Sequence, residues 1–163
     1  MYLSFRNMKH STARGFTLME LLVSVAIIGM LSSIVLTSVA SARTKGVNAA
    51  IKSNLAGARA EAALYYGDAG NSYEGVCAAS GADRIGDSVS AAEIGYKGSV
   101  TGYGDAIAST WDTAQCHDSA NAWAAWVPLR GSTSGSILAW CVDGLGVSKQ
   151  VTTVLAASAM QCP

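Results

Sequence analysis

The sequence predicts an α+β protein, a long N-terminal α-helix packed on a small antiparallel β-sheet. Three observations carry that reading. Residues 21–42 form an uncharged, mostly apolar run. Apolar positions then recur at helical spacing as far as Tyr65. The C-terminal third alternates short apolar runs with clusters of glycine, serine and aspartate. The chain has 163 residues, enough for one domain and an appendage. Half of it is apolar and only 13% is charged, against about 25% in a typical soluble domain. Such a composition excludes a disordered chain and departs from that of a cytosolic enzyme. Eleven basic residues balance eleven acidic ones, so no bulk charge favours nucleic acid.

The N-terminal segment indicates the compartment. Residues 1–15 carry Arg6, Lys9 and Arg14 and no acid. As a helix, the uncharged run from Leu21 to Ala42 spans roughly 33 Å, about one hydrocarbon core. The basic flank is expected to stay in the cytoplasm and the rest to lie outside. Arg43 and Lys45 follow the run and act against that bias. A secretory signal cut after Ser38–Ala42 and a plain signal anchor are the alternatives, but the run is too long for an h-region. Glu20 argues against both. A carboxylate in lipid costs roughly 2.5–3.5 kcal/mol, which a plain anchor does not recover.

The run Arg14-Gly15-Phe16-Thr17-Leu18-Met19-Glu20-Leu21-Leu22-Val23, continued by Ser24-Val25-Ala26-Ile27-Ile28-Gly29, resembles the N-terminus of type IV pilins and pseudopilins. The resemblance covers about thirty residues and is specific over them. It implies cleavage between Gly15 and Phe16 by a prepilin peptidase, and methylation of the new Phe16 amine. It implies that Glu20 faces the positive N-terminus of a neighbouring subunit, neutralising its own charge and setting the axial register. Met8 is an alternative start. Loss of residues 1–15 leaves eight basic against eleven acidic residues, a mildly acidic chain.

Beyond Val39 the pattern becomes amphipathic. Val47, Ile51, Leu55, Ala58, Ala62 and Tyr65 recur at steps of three and four, one stripe of a helix. Lys45, Lys52, Arg59 and Glu61 fall off it. No proline precedes Pro128, so one helix from Thr17 to Tyr66, roughly 75 Å long, is predicted, ended by Gly67 or Gly70. Many pilins have a proline where Thr37 falls, and its absence implies a less kinked helix.

In the outer part, Ala122–Leu129 and Ser136–Val142 read as a hairpin, and Ser148–Leu155 as a third strand. Residues 77–116 lack periodicity and are expected to form a variable loop, with a short helix near Ala91–Ile94. Trp123 and Trp126 are three apart, so on a strand they face opposite ways, one core and one exposed. Trp111 and Trp140 are expected in the core.

Cys77, Cys116, Cys141 and Cys162 include no CxxC, which disfavours zinc. Outside the cytosol disulfides are the default, and four cysteines allow three pairings. The resemblance favours Cys141–Cys162, leaving Cys77–Cys116. No enzyme is indicated. His117 is the one histidine beyond the leader and reads as a loop residue beside a disulfide. GxSxG, phosphate-loop and HExxH motifs are missing. Asp143 reads as a turn residue without a second acid to hold calcium. No cofactor or metal is expected.

The resemblance thus implies a pilin-like fold: residues 1–15 a leader, 16–42 the transmembrane and filament-core half of the helix, 43–67 its amphipathic half, and 68–163 a disulfide-linked head. It implies a major pilin that polymerises with itself, served by a prepilin peptidase, an assembly platform and an ATPase. Before assembly it would sit in the cytoplasmic membrane with its head outside. The alternatives are a pseudopilin or minor pilin of a secretion or DNA-uptake system, and an anchored extracellular binding module that never polymerises.

Overall fold

A computed structural model describes residues 15–78, 84–99 and 110–163, apart from the side chain of Thr37. The expected leader, save Gly15, lies outside the described residues, as do parts of the expected loop at 79–83 and 100–109. Helix α1 runs from Leu18 to Asp68. It contains no proline, and alanines supply much of its second half. It ends where Gly70 and Asn71 both adopt left-handed backbone (φ 70° and 66°), with the Asn71 N–H donating to the Tyr66 carbonyl. The chain divides into two compact units, residues 1–40 and 41–163.

In the second unit α1 contributes the stripe read from the sequence. Ile51, Leu55, Ala58 and Ala62 are fully buried, and Val47 and Tyr65 are half-buried beside them. Fully burying Ile51 or Leu55 stabilises the unit by about 1.5–3 kcal/mol each. Four strands form an antiparallel meander in the order β1 (Gln115–Asp118), β2 (Trp123–Pro128), β3 (Ala139–Asp143) and β4 (Ser148–Val151). Trp123, Ala125, Val127 and Val142 join the α1 stripe in one core.

Four expectations change. The stretch expected to be loop contains a 12-residue helix, α2 (Gly86–Lys97), longer than the short helix expected near Ala91–Ile94. Asp87 in its first turn and Lys97 in its last suit the helix dipole, and Gly98 caps its C-terminus. The end of that stretch begins β1, so the sheet has four strands rather than three. His117 is therefore a fully buried strand residue, opposite Ala124 in the β1–β2 ladder, and not a loop residue. The last strand stops at Val151, and Leu155 belongs to an irregular tail.

The fourth change concerns the tryptophans. Trp123 and Trp126 do face opposite ways, but both are buried. Trp126 joins a second core with Ala124, Ala139, Cys141, Val151 and Leu155. The C-terminal tail covers that face, and the Trp126 indole Nε1 donates to the Thr153 carbonyl at 3.1 Å. The sheet is thus buried on both faces, by helices on one and by irregular chain on the other.

Candidate functional site

The residues that the sequence singles out gather at two places, the start of α1 and the cross-linked head. At the first, Thr17 and Glu20 form a reciprocal capping box. The Thr17 N–H and hydroxyl both donate to Glu20 Oε2, at 3.0 and 2.9 Å, and the Glu20 N–H donates to Thr17 Oγ1 at 3.2 Å. Two N–H groups at the helix N-terminus are thereby satisfied, with a negative charge at the positive end of the dipole. The spacing Thr-x-x-Glu was legible in the sequence, although Thr17 was not among the expected site residues.

Gly15 and Phe16 precede this box outside the helix, and Phe16 is 80% exposed. From Phe16 to Val39 every large apolar side chain is exposed, on all sides of the helix. A helix apolar all round is stable in lipid or in the core of an assembly, not in water. Among the described residues α1 is the one helix long and apolar enough to cross a membrane. Three of its serines are locally satisfied: the Ser24, Ser33 and Ser38 hydroxyls donate to the Glu20, Met30 and Ile34 carbonyls.

In the head, the four cysteines form two disulfides. Cys77–Cys116 ties the loop after α1 to β1, and Cys141–Cys162 ties β3 to the C-terminal tail, with Cα separations of 5.7 and 5.8 Å. Cys116 therefore offers no thiol for His117 to activate. Asp143 is almost fully buried and does more than terminate a strand. Its Oδ1 accepts from the Leu145 and Val147 N–H groups, closing the β3–β4 turn. Its Oδ2 accepts from the Cys162 N–H at 3.1 Å, so one carboxylate fixes both the turn and the tail. A Cβ on Gly144 would lie 3.1 Å from the Trp123 ring, which explains glycine in this turn. Among the described residues no group of three His, Cys, Asp or Glu could hold a metal ion.

A second hydrogen-bonded cluster joins the end of α1 to the sheet. The Tyr65 hydroxyl donates to the Glu74 carbonyl at 2.7 Å, and the Gly75 N–H donates to the Asp118 carboxylate. Sequence reasoning gave no sign of it, because its members are far apart in the chain and each is an ordinary surface type.

Residues 10–36 match a family described as the prokaryotic N-terminal methylation motif. No curated protein and no solved structure matches the chain. The matched segment contains Gly15, Phe16 and Glu20, and it includes most of the exposed apolar surface. With the apolar helix, it fits anchoring in a membrane before assembly. It points to a structural protein rather than an enzyme.

Proposed function

Because the chain carries the type IV prepilin and pseudopilin signature at its N-terminus, we propose that it is the major structural subunit of an extracellular type IV filament. The observation that carries this reading is the exposed apolar surface from Phe16 to Val39, with a single carboxylate at its start. In this reading residues 1–15 are a leader that prepilin peptidase removes between Gly15 and Phe16, and the new Phe16 amine is methylated. Residues 16–42 anchor the subunit in the cytoplasmic membrane, head outside, and later form the filament core. Residues 43–67 and 68–163 form the part exposed on the fibre. An assembly platform and an ATPase drive extraction from the membrane.

Glu20 supplies the register. Within one chain its carboxylate is held by its own capping box. In the filament it lies beside the positively charged Phe16 amine of a neighbour, in surroundings with little water. Misaligned subunits would leave that charge unpaired in apolar surroundings, which is costly.

The test is an intact mass, without reduction, of the protein sheared from whole cells. The expected species starts at Phe16, carries one added methyl and lacks the four hydrogens lost to two disulfides. An unprocessed chain found only in membranes identifies an anchored binding module instead. A processed chain that stays with the cells identifies a pseudopilin.

A further inference from the structure

Most charges of the head separate by sign, with Arg59 and Lys149 as exceptions. At the end nearest residue 41, Arg43, Lys45 and Arg130 are exposed and Lys52 is half-buried. Arg130 belongs to this end because its N–H donates to Asn48 Oδ1 at 2.8 Å and its guanidinium reaches the Gly95 carbonyl at 3.4 Å. Gly95 in turn sits against Ile51. Lys52 lies over the Trp140 ring, 4.4 Å from its centroid. The acid at this end, Asp112, is neutralised by Lys97 at 3.1 Å.

At the other end of α1 the sign reverses. Asp68, Glu74 and Asp87 are exposed. Glu61 is half-buried and accepts from the Ser88 hydroxyl at 2.8 Å, which brings Asp87 to the same level. Two cations stand among them, Arg84 over the Tyr65 ring and the exposed Arg59 beside the Gly146 turn, so the acids still outnumber the bases here. Among the described residues, none of Arg43, Lys45, Arg130, Asp68, Glu74 and Asp87 has an ion-pair partner in its own chain. From Arg43 to Asp68 the helix rises about 37 Å, at 1.5 Å per residue.

We infer that these ends are complementary docking surfaces for a second copy of this chain, the basic end of one head meeting the acidic end of the next. The inference rests on the proposed filament and adds to it the orientation and axial offset of neighbouring heads. Like charges crowded at one end repel, and an oppositely charged neighbour relieves both ends at once. Because the two surfaces differ, the contact is head-to-tail and propagates as an open array rather than closing as a dimer. Exposed ion pairs are individually weak and are screened by salt. Their role is therefore to select one arrangement, while the apolar helices supply cohesion.

The experiment uses the full chain in its own cells, grown first on normal and then on heavy nitrogen so that each cell holds both forms of the chain. A zero-length carbodiimide joins only carboxylates and amines already in contact. The expected product is a mixed-isotope peptide pair linking Lys45 or Lys52 of one copy to Glu61, Asp68 or Glu74 of another. This readout works on membranes as well as on fibres, so it decides the inference even if no filament forms. Absence of mixed-isotope links overturns it. Reversal of one end (Lys45→Glu with Arg130→Glu, or Asp68→Lys with Glu74→Lys) should lower the inter-copy links and the sheared yield about tenfold. Combining both reversals should restore the yield, which a folding defect would not do. If only the basic-end reversal matters and the combination restores nothing, that end docks on anionic lipid and the inference is wrong.

Discussion

The two halves of helix α1 share a backbone and differ in almost everything else. From Leu18 to Ala40 the large apolar side chains point in every direction and remain exposed. From Ser41 to Asp68 they fall mainly on one stripe, with Leu64 exposed off it, and Ile51, Leu55, Ala58 and Ala62 are buried under the sheet and α2. Helical propensity makes both halves helical. The distribution of apolar side chains decides what each half needs. The second half finds its cover within the chain, whereas the first requires lipid or other copies.

The largest expected effect tests the first half. Glu20→Ala should abolish filaments in the sheared fraction while leaving the thermal unfolding of the head unchanged. Normal filaments without Glu20 would refute the register argument. The next test contrasts the halves directly. Leu55→Ala should destabilise the head by about 2–5 kcal/mol, measured by denaturant unfolding in detergent. Leu22→Ala in the same assay should leave the head unaffected, because Leu22 is exposed and belongs to the other compact unit. A similar loss for both would mean that the halves are not energetically distinct.

A smaller effect probes the tail that covers the second sheet face. Replacing Cys141 and Cys162 together by serine should cost about 3 kcal/mol in the chain-entropy model and speed proteolysis after Val151. Unchanged proteolysis would show that Asp143 and the Trp126 contacts hold the tail without the cross-link.

The smallest effect concerns acid pH. The Thr110 hydroxyl, then the Lys97 ammonium, holds the Asp112 carboxyl below the usual carboxylate range. Folding therefore favours the charged form. The stabilisation is present above the ordinary carboxylate pKa and is lost as pH falls through the lowered one. Asp112→Asn should remove this acid-side dependence and change Tm at neutral pH by no more than about 2 °C, since the pair is largely exposed. An acid-side profile identical to that of the unmodified chain would assign the dependence to another group.

The long helix, its change of character and the processing motif were legible because each is a local pattern. So were the β2–β3 hairpin and the turn at Asp143. Helix α2 and strand β1 were not. The sequence of α2 buries small residues and Glu93 rather than an apolar stripe, and β1 is a polar run, Gln-Cys-His-Asp, that is almost wholly buried. Neither gives a periodic signal, because tertiary packing overrides local preference there.

The sequence by itself determined where the chain is apolar, at what period, and which residue carries a charge into the apolar run. Those properties follow from the order of side chains along a regular backbone. Only the tertiary structure decided that both Trp123 and Trp126 are buried and that Arg130 joins Asn48 at the basic end of the head. Each depends on bringing residues far apart in sequence into contact. Such contacts arise from the combined packing of helices, sheet and tail, which no local stretch of the chain encodes alone.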